Sequence, residues 1–127
     1  AADARVVLAT DEVVVITPFW SGSPYELLIV PRRHEAHLQD ADDDSLAAVG
    51  VALRDALGQL NAVLGDVAFN LGFHTAPHQH TGQYHWHAHV WPNLITQAGF
   101  ERGTGVMINV LPPEDACATL KSVAANA

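Results

Sequence analysis

Between His85 and Val90 the chain alternates histidine with apolar residues: His85-Trp86-His87-Ala88-His89-Val90. That period of two belongs to a half-buried strand, because successive side chains of a strand point to opposite faces. His85, His87 and His89 then share one face, about 6.6 Å apart per step, and project together into a shared cleft. Trp86, Ala88 and Val90 face a core. A helix would splay the same three histidines around its axis. Six of the eight histidines fall between His74 and His89. Neutral imidazoles bind transition metals. They also act as nucleophiles at phosphorus or carbonyl centres, with neighbours to handle protons. A solvated polar strand face is the plain alternative for a single histidine; six in one short stretch favour a site.

A chain of 127 residues suits one domain, residues 1–127, and 49% hydrophobic residues are enough for a core without disulfides. The one cysteine, Cys117, excludes an internal disulfide and a cysteine-rich zinc site. A cytoplasmic setting fits this cysteine usage. No apolar run is long enough to span a membrane, and the start AADARVV has no signal-peptide pattern. The formal charge of −8 argues against nucleic-acid binding, which needs a basic footprint. It leaves room for a small phosphorylated ligand, which needs only local donors such as Arg32, Arg33, Arg102 and the histidines.

Taken in order, Glu12–Thr17 is β-branched and predicts a strand, ended by Pro18. The loop PFWSGSPYE carries Phe19, Trp20 and Tyr25, which either wall a base or sugar site or plug the core. Glu26–Val30 predicts a central strand. Arg32, Arg33, His34 and His37 follow, as a phosphate-facing rim or as a solvated connection. Asp42, Asp43, Asp44 and Ser45 suit a helix N-terminus. The helix has an inward stripe of Leu46, Val49, Leu53, Leu57 and Leu60, an outer face of Arg54, Asp55 and Gln59, and an end near Gly65. Val67–Phe73 predicts a third strand; Gly72 there suggests close backbone approach or a bulge, and Asn70 a ligand contact or a satisfied strand end. HTAPHQHTGQ is a connection, with His78 and His80 as solvated loop residues or extensions of a metal site. GFERGTG, residues 99–105, predicts a glycine-rich loop without P-loop spacing, whose amides can meet phosphate or sugar. Val106–Val110 predicts a last strand, and Pro112-Pro113-Glu114-Asp115 opens a C-terminal helix with Ala116, Leu120 and Val123 inward. The expected fold is α+β: an antiparallel sheet of about five strands with one long helix and a C-terminal helix.

His85-Trp86-His87-Ala88-His89-Val90-Trp91 resembles the signature of the histidine-triad (HIT) superfamily, in which histidines alternate with apolar residues. ELLIVPRRHEAHLQD and FNLGF resemble the segments that precede it. More narrowly, FHTAPHQ, HWHAHVWPNL and GFERGTGVMIN followed by PPEDA are similar to the C-terminal half of galactose-1-phosphate uridylyltransferase-like nucleotidyltransferases, proteins with two triad-type domains in one chain. The resemblance implies a HIT-like fold and nucleotidyl transfer between a nucleotide sugar and a sugar phosphate, as in galactose metabolism.

In free-standing HIT members the middle histidine attacks the α-phosphate and carries the nucleotidyl group. By that match His87 is the nucleophile, flanked by His85 and His89, with Asn70 in contact with ligand. In the uridylyltransferase the nucleophile belongs to a His-Pro-His motif of the other half, and no such motif occurs here. By that match His74, His87 and His89 are ligands of zinc or iron, completed by a carboxylate from the other half. Gln83, Arg102, Gly103, Thr104 and Gly105 are candidate substrate contacts. The resemblance thus implies a transferase, with two alternatives: a free-standing nucleotide phosphoramidate or dinucleotide hydrolase using His87, or a non-catalytic metal-binding half. It implies no organic cofactor, and either a homodimer or pairing with a second HIT-like half.

Overall fold

The computed structural model describes residues 3–124. Its strands are β1 (Val6–Ala9), β2 (Val13–Ile16), β3 (Leu27–Pro31), β4 (Phe69–His74) and β5 (His87–Pro92). They form one antiparallel sheet in the order β1-β2-β3-β5-β4. The helices are α1 (Asp43–Leu64), α2 (Gly99–Thr104) and α3 (Pro113–Ala124). Among the described residues no helix is long and apolar enough to cross a membrane.

Register assigns the two faces. Val15 pairs with Ile29, Ile29 with Ala88, and Leu27 with Val90. Directly opposed residues in an antiparallel sheet point the same way, so this set makes one face, and all of it is buried. Helix α1 covers it with Val49, Ala52, Ala56 and Leu60, and α3 adds Cys117 and Leu120. Each fully buried Leu, Val or Ile contributes roughly 1.5–3 kcal/mol, so this stripe is what holds α1 down. Leu28 pairs with His89, and His89 with Gly72, on the opposite face, where the histidines lie.

Helix α1 starts as its aspartates predict. The Asp42 carboxylate accepts the Ser45 amide at 2.8 Å, filling one of the vacant first-turn positions. It ends at Gly65, whose φ of 72° and ψ of −153° suit glycine almost alone. The buried stripe is displaced from the expected one. Small residues, Ser45, Ala52 and Ala56, sit against the sheet, while Leu53 and Leu57 flank it and Leu46 is exposed. Close helix–sheet approach favours the alanines over the leucines. Gln59 is half-buried rather than outward.

Two strand assignments are corrected. Val6–Ala9 forms an edge strand that the sequence reading omitted; the Thr10 hydroxyl, accepting the Val13 amide at 3.0 Å, turns it into a hairpin with β2. Val106–Val110 is no strand. Its β-branched residues lack a ladder partner, and the Asn109 side chain ties the segment instead, donating to the Ser21 and Ser23 carbonyls and accepting from Leu111. The glycine-rich segment is also corrected. Residues Gly99–Thr104 form helix α2, because Glu101 accepts the Ala98 amide and Gly105, at φ 72°, closes the C-terminus in the left-handed region. The histidine strand begins at His87, not His85.

Candidate functional site

Strand β5 sits between β3 and β4, so its outward histidines meet side chains from both neighbours. His74 pairs directly with His87 across β4–β5. Their rings lie parallel with centroids 4.9 Å apart, and His74 and His89 are 5.8 Å apart. Tyr84 stacks beyond His87 at 6.5 Å. Trp91 covers the face of His89 at 3.9 Å. Trp91 can reach it because Gly72 has no side chain: a Cβ there would lie 3.0 Å from the indole. The close approach expected at Gly72 is thus that of a side chain.

Hydrogen bonds assign the ring protons. A carbonyl oxygen only accepts. His87 Nδ1 therefore donates to the His85 carbonyl at 3.0 Å, which leaves the Nε2 lone pair free for attack or ligation. His85 Nε2 donates to the Pro31 carbonyl at 2.6 Å. His85 lies before the strand and its ring meets His34 at 4.8 Å, apart from the His74–His87–His89 group. His89 Nε2 meets Glu26 Oε1 at 2.6 Å, and both residues are buried. Burial pushes the Glu26 carboxyl up, but His89 and the Gly22 and Ser23 amides outweigh it and hold it below the usual carboxylate range. His74 is held below the usual histidine value, first by burial and then by the nearby His87 and His89. Its Nε2 is buried without a hydrogen-bond partner.

The donors suit zinc or iron in kind, and the orphaned His74 nitrogen fits a ligand's role. Among the described residues, however, no three His, Cys, Asp or Glu groups are arranged to hold a metal by themselves. The histidines occupy the sheet face opposite the one that α1 and α3 cover. Concavities of about 800 and 510 Å³ lie elsewhere: one beside β1, α1 and α3, the other between α1 and Phe73.

Other predicted residues divide. Asn70 is exposed on the histidine face, opposite Trp91. Gln83 is exposed, as are His78 and His80. Arg102, Gly103, Thr104 and Gly105 belong to α2 and its cap; Arg102 donates to the Gln97 carbonyl and Thr104 to the Phe100 carbonyl, and all four are exposed. Arg33 pairs with Glu35 and Asp42, and Arg32 donates to Thr10, as a solvated connection would. Tyr25 packs on the core, while Phe19 and Trp20 are exposed. Glu26 was missed as a site residue. Its signal was a lone acid opening an otherwise apolar central strand.

Residues 1–123 match the family model described as galactose-1-phosphate uridyl transferase, C-terminal domain. The chain belongs to this family. It is 31% identical over 122 residues to the ADP-glucose phosphorylase of Arabidopsis thaliana, covering 93% of this chain and 35% of that protein. The structure of that phosphorylase with bound ADP-glucose superposes with a TM-score of 0.86 at 30% identity, over 94% of this chain and 40% of that one. Identity to the galactose-1-phosphate uridylyltransferase of Haemophilus influenzae is 29% over 101 residues, 77% of this chain and 29% of that protein. A Hit-like protein from Bartonella henselae shares the fold, with a TM-score of 0.70 at 17% identity over 93% of this chain and 84% of that one. The architecture is therefore the HIT-like α+β fold. The chain spans about a third of the length of the curated relatives it matches.

Proposed function

We propose that this chain is one domain, residues 1–127, of an enzyme that transfers a nucleotidyl group between a nucleotide sugar and a sugar phosphate. The observation that carries the reading is the packed set of His74, His87 and His89 on one sheet face, in a member of the uridyl transferase C-terminal family. The chemistry proceeds in two displacements. A histidine nitrogen forms an N–P bond to the α-phosphorus as the phosphoanhydride bond breaks and sugar 1-phosphate leaves. The incoming sugar phosphate then breaks the N–P bond. Two steps keep the reactive phosphoryl group activated, and neighbouring donors offset the charge that grows on its oxygens. His87, with Nε2 free, is suited to the nucleophile's part, and His85 and His89 to proton handling. Asn70 and Gln83 are the proposed substrate contacts on this side, and Arg102, Gly103, Thr104 and Gly105 those toward the sugar phosphate.

One observation favours a second role for the same residues. The buried, unpartnered Nε2 of His74 suits a ligand of zinc or iron, with His87 and His89 beside it. Such a metal would hold the phosphate-binding face together by coordination, and a further donor would come from another chain or domain. The open histidine face fits pairing with a second HIT-like half or a second copy, in a cytoplasmic protein.

The test uses labelled UDP-glucose or ADP-glucose with and without galactose 1-phosphate. Transfer to the acceptor is expected, with an acid-labile nucleotidyl adduct on His87 seen by mass spectrometry. Release of nucleotide independent of acceptor would reverse the assignment in favour of a hydrolase. His87→Gly separates the two roles: lost turnover with metal retained marks the nucleophile, whereas metal and thermal stability lost together mark the ligand. Sedimentation is expected to show a dimer, or a complex with a companion half.

A further inference from the structure

Residues 105–110 run without helix, turn or bend. Their side chains alternate in environment. The Met107 side chain packs so closely on Gly22 that a Cβ there would meet it at 3.3 Å, and Asn109 donates to the Ser21 and Ser23 carbonyls at 3.2 and 3.3 Å. Val106, Ile108 and Val110 are 55, 46 and 77% exposed. A period of two is that of a strand. Yet among the described residues no hydrogen bond reaches the backbone N–H or C=O groups of Met107, Ile108, Asn109 or Val110. Unpaired backbone groups on an apolar, strand-like segment are a template for a further strand.

The loop beside this segment enlarges the surface. Phe19 and Trp20 are 74 and 67% exposed. With Val106, Met107, Ile108 and Val110 they leave roughly 700 Å² uncovered, close to the ~800 Å² per partner that a stable interface buries. Charge selects the occupant. Residues 18–25 and 103–113 carry no charged side chain, in a chain of formal charge −8. Two copies of this acidic chain therefore repel each other least here.

We propose that segment 106–110 pairs antiparallel with the same segment of a second copy, about a two-fold axis through Ile108. In that register Ile108 faces itself and Val106 faces the second copy's Val110, so the three exposed apolar side chains of each copy share one face. Met107 and Asn109 exchange backbone hydrogen bonds with Asn109 and Met107 of the second copy, which places Ile108 in the close, non-hydrogen-bonded pair. A slip of one residue sets Ile108 opposite Asn109, whose side chain is already tied to the loop, and loses the match. Because Met107 and Asn109 fasten the segment beforehand, pairing orders little that is free. The inference is independent of what the histidines do.

The test is sedimentation of the full chain, wild type against Ile108→Glu, up to high micromolar concentration. Wild type is expected to dimerise. Ile108→Glu sets two carboxylates against each other and removes an apolar contact from each copy, and is expected to weaken the dimer by about a hundredfold or more. Ile108 is exposed, so the thermal midpoint of the dilute monomer is expected to stay unchanged, which separates lost pairing from lost folding. Cysteine substitution reads the register, since Cys117 is buried. Ile108→Cys faces itself at a distance that a disulfide spans, and is expected to cross-link on mild oxidation. Val106→Cys and Val110→Cys do not face themselves and are expected to cross-link far more slowly. Wild type that remains monomeric overturns the proposal. A dimer that survives Ile108→Glu is seated on another surface, the histidine face included, and overturns it too. Equal cross-linking of Ile108→Cys and Val110→Cys overturns the two-fold register. None of these measurements involves nucleotidyl transfer, so the two readings stand or fall separately.

Discussion

The indole of Trp91 lies over the Cα of Gly72 on the neighbouring strand, and that contact lets it press on His89. Gly72→Ala places a methyl 3.0 Å from Trp91 Cζ3, tighter than nine in ten real Cβ contacts. The ring must shift, and overpacking of this kind costs about 1–3 kcal/mol. Urea unfolding is expected to show that loss, and the ring-current shift of His89 to change with it. Wild-type stability together with unaltered His89 resonances would contradict the packing described.

Gly65 closes α1 in a conformation open almost only to glycine. Open space surrounds it, so Gly65→Ala meets no clash, and its cost is purely backbone strain. The expected loss is about 1–3 kcal/mol, read as a lower denaturation midpoint at constant slope.

His74 makes the fold sensitive to acid. Its value in the fold lies below the ordinary histidine value of about 6.5, because burial and two neighbouring imidazoles oppose its charge. Between the two values the unfolded chain binds more protons, so stability rises with pH there. The His74 contribution is whole above the ordinary value and is lost as pH falls through the lower folded one. In metal-free protein His74→Gln is expected to flatten the fall in stability between pH 7.5 and about pH 5. An identical fall in wild type and variant would count against it.

Leu120 is fully buried and joins α3 to the core under α1. Leu120→Ala is expected to cost roughly 2–5 kcal/mol through lost burial and the cavity left behind. Calorimetry should show a clear drop in Tm. A drop no larger than that of an exposed substitution such as Thr119→Ala would mean that α3 is not anchored there.

Local pattern carried much of this protein. Alternation from Trp86 to Val90 determined which side of the strand enters the core, because side-chain direction in a strand is a matter of period alone. The aspartates before Ser45 and the glycine at 65 marked both ends of α1, since cap chemistry is local. The spacing of the histidines and their apolar neighbours was also enough to point to the family. Tertiary structure decided what depends on chain segments meeting. His74 joins His87 only because β4 returns beside β5, and Glu26 finds His89 across 63 residues of sequence. Val106–Val110 has the composition of a strand yet none of its hydrogen bonds, because a ladder needs a partner and composition supplies only one side of it. Proton placement on each ring likewise follows from which carbonyl or carboxylate the fold brings to it, and no pattern within the histidine stretch encodes that.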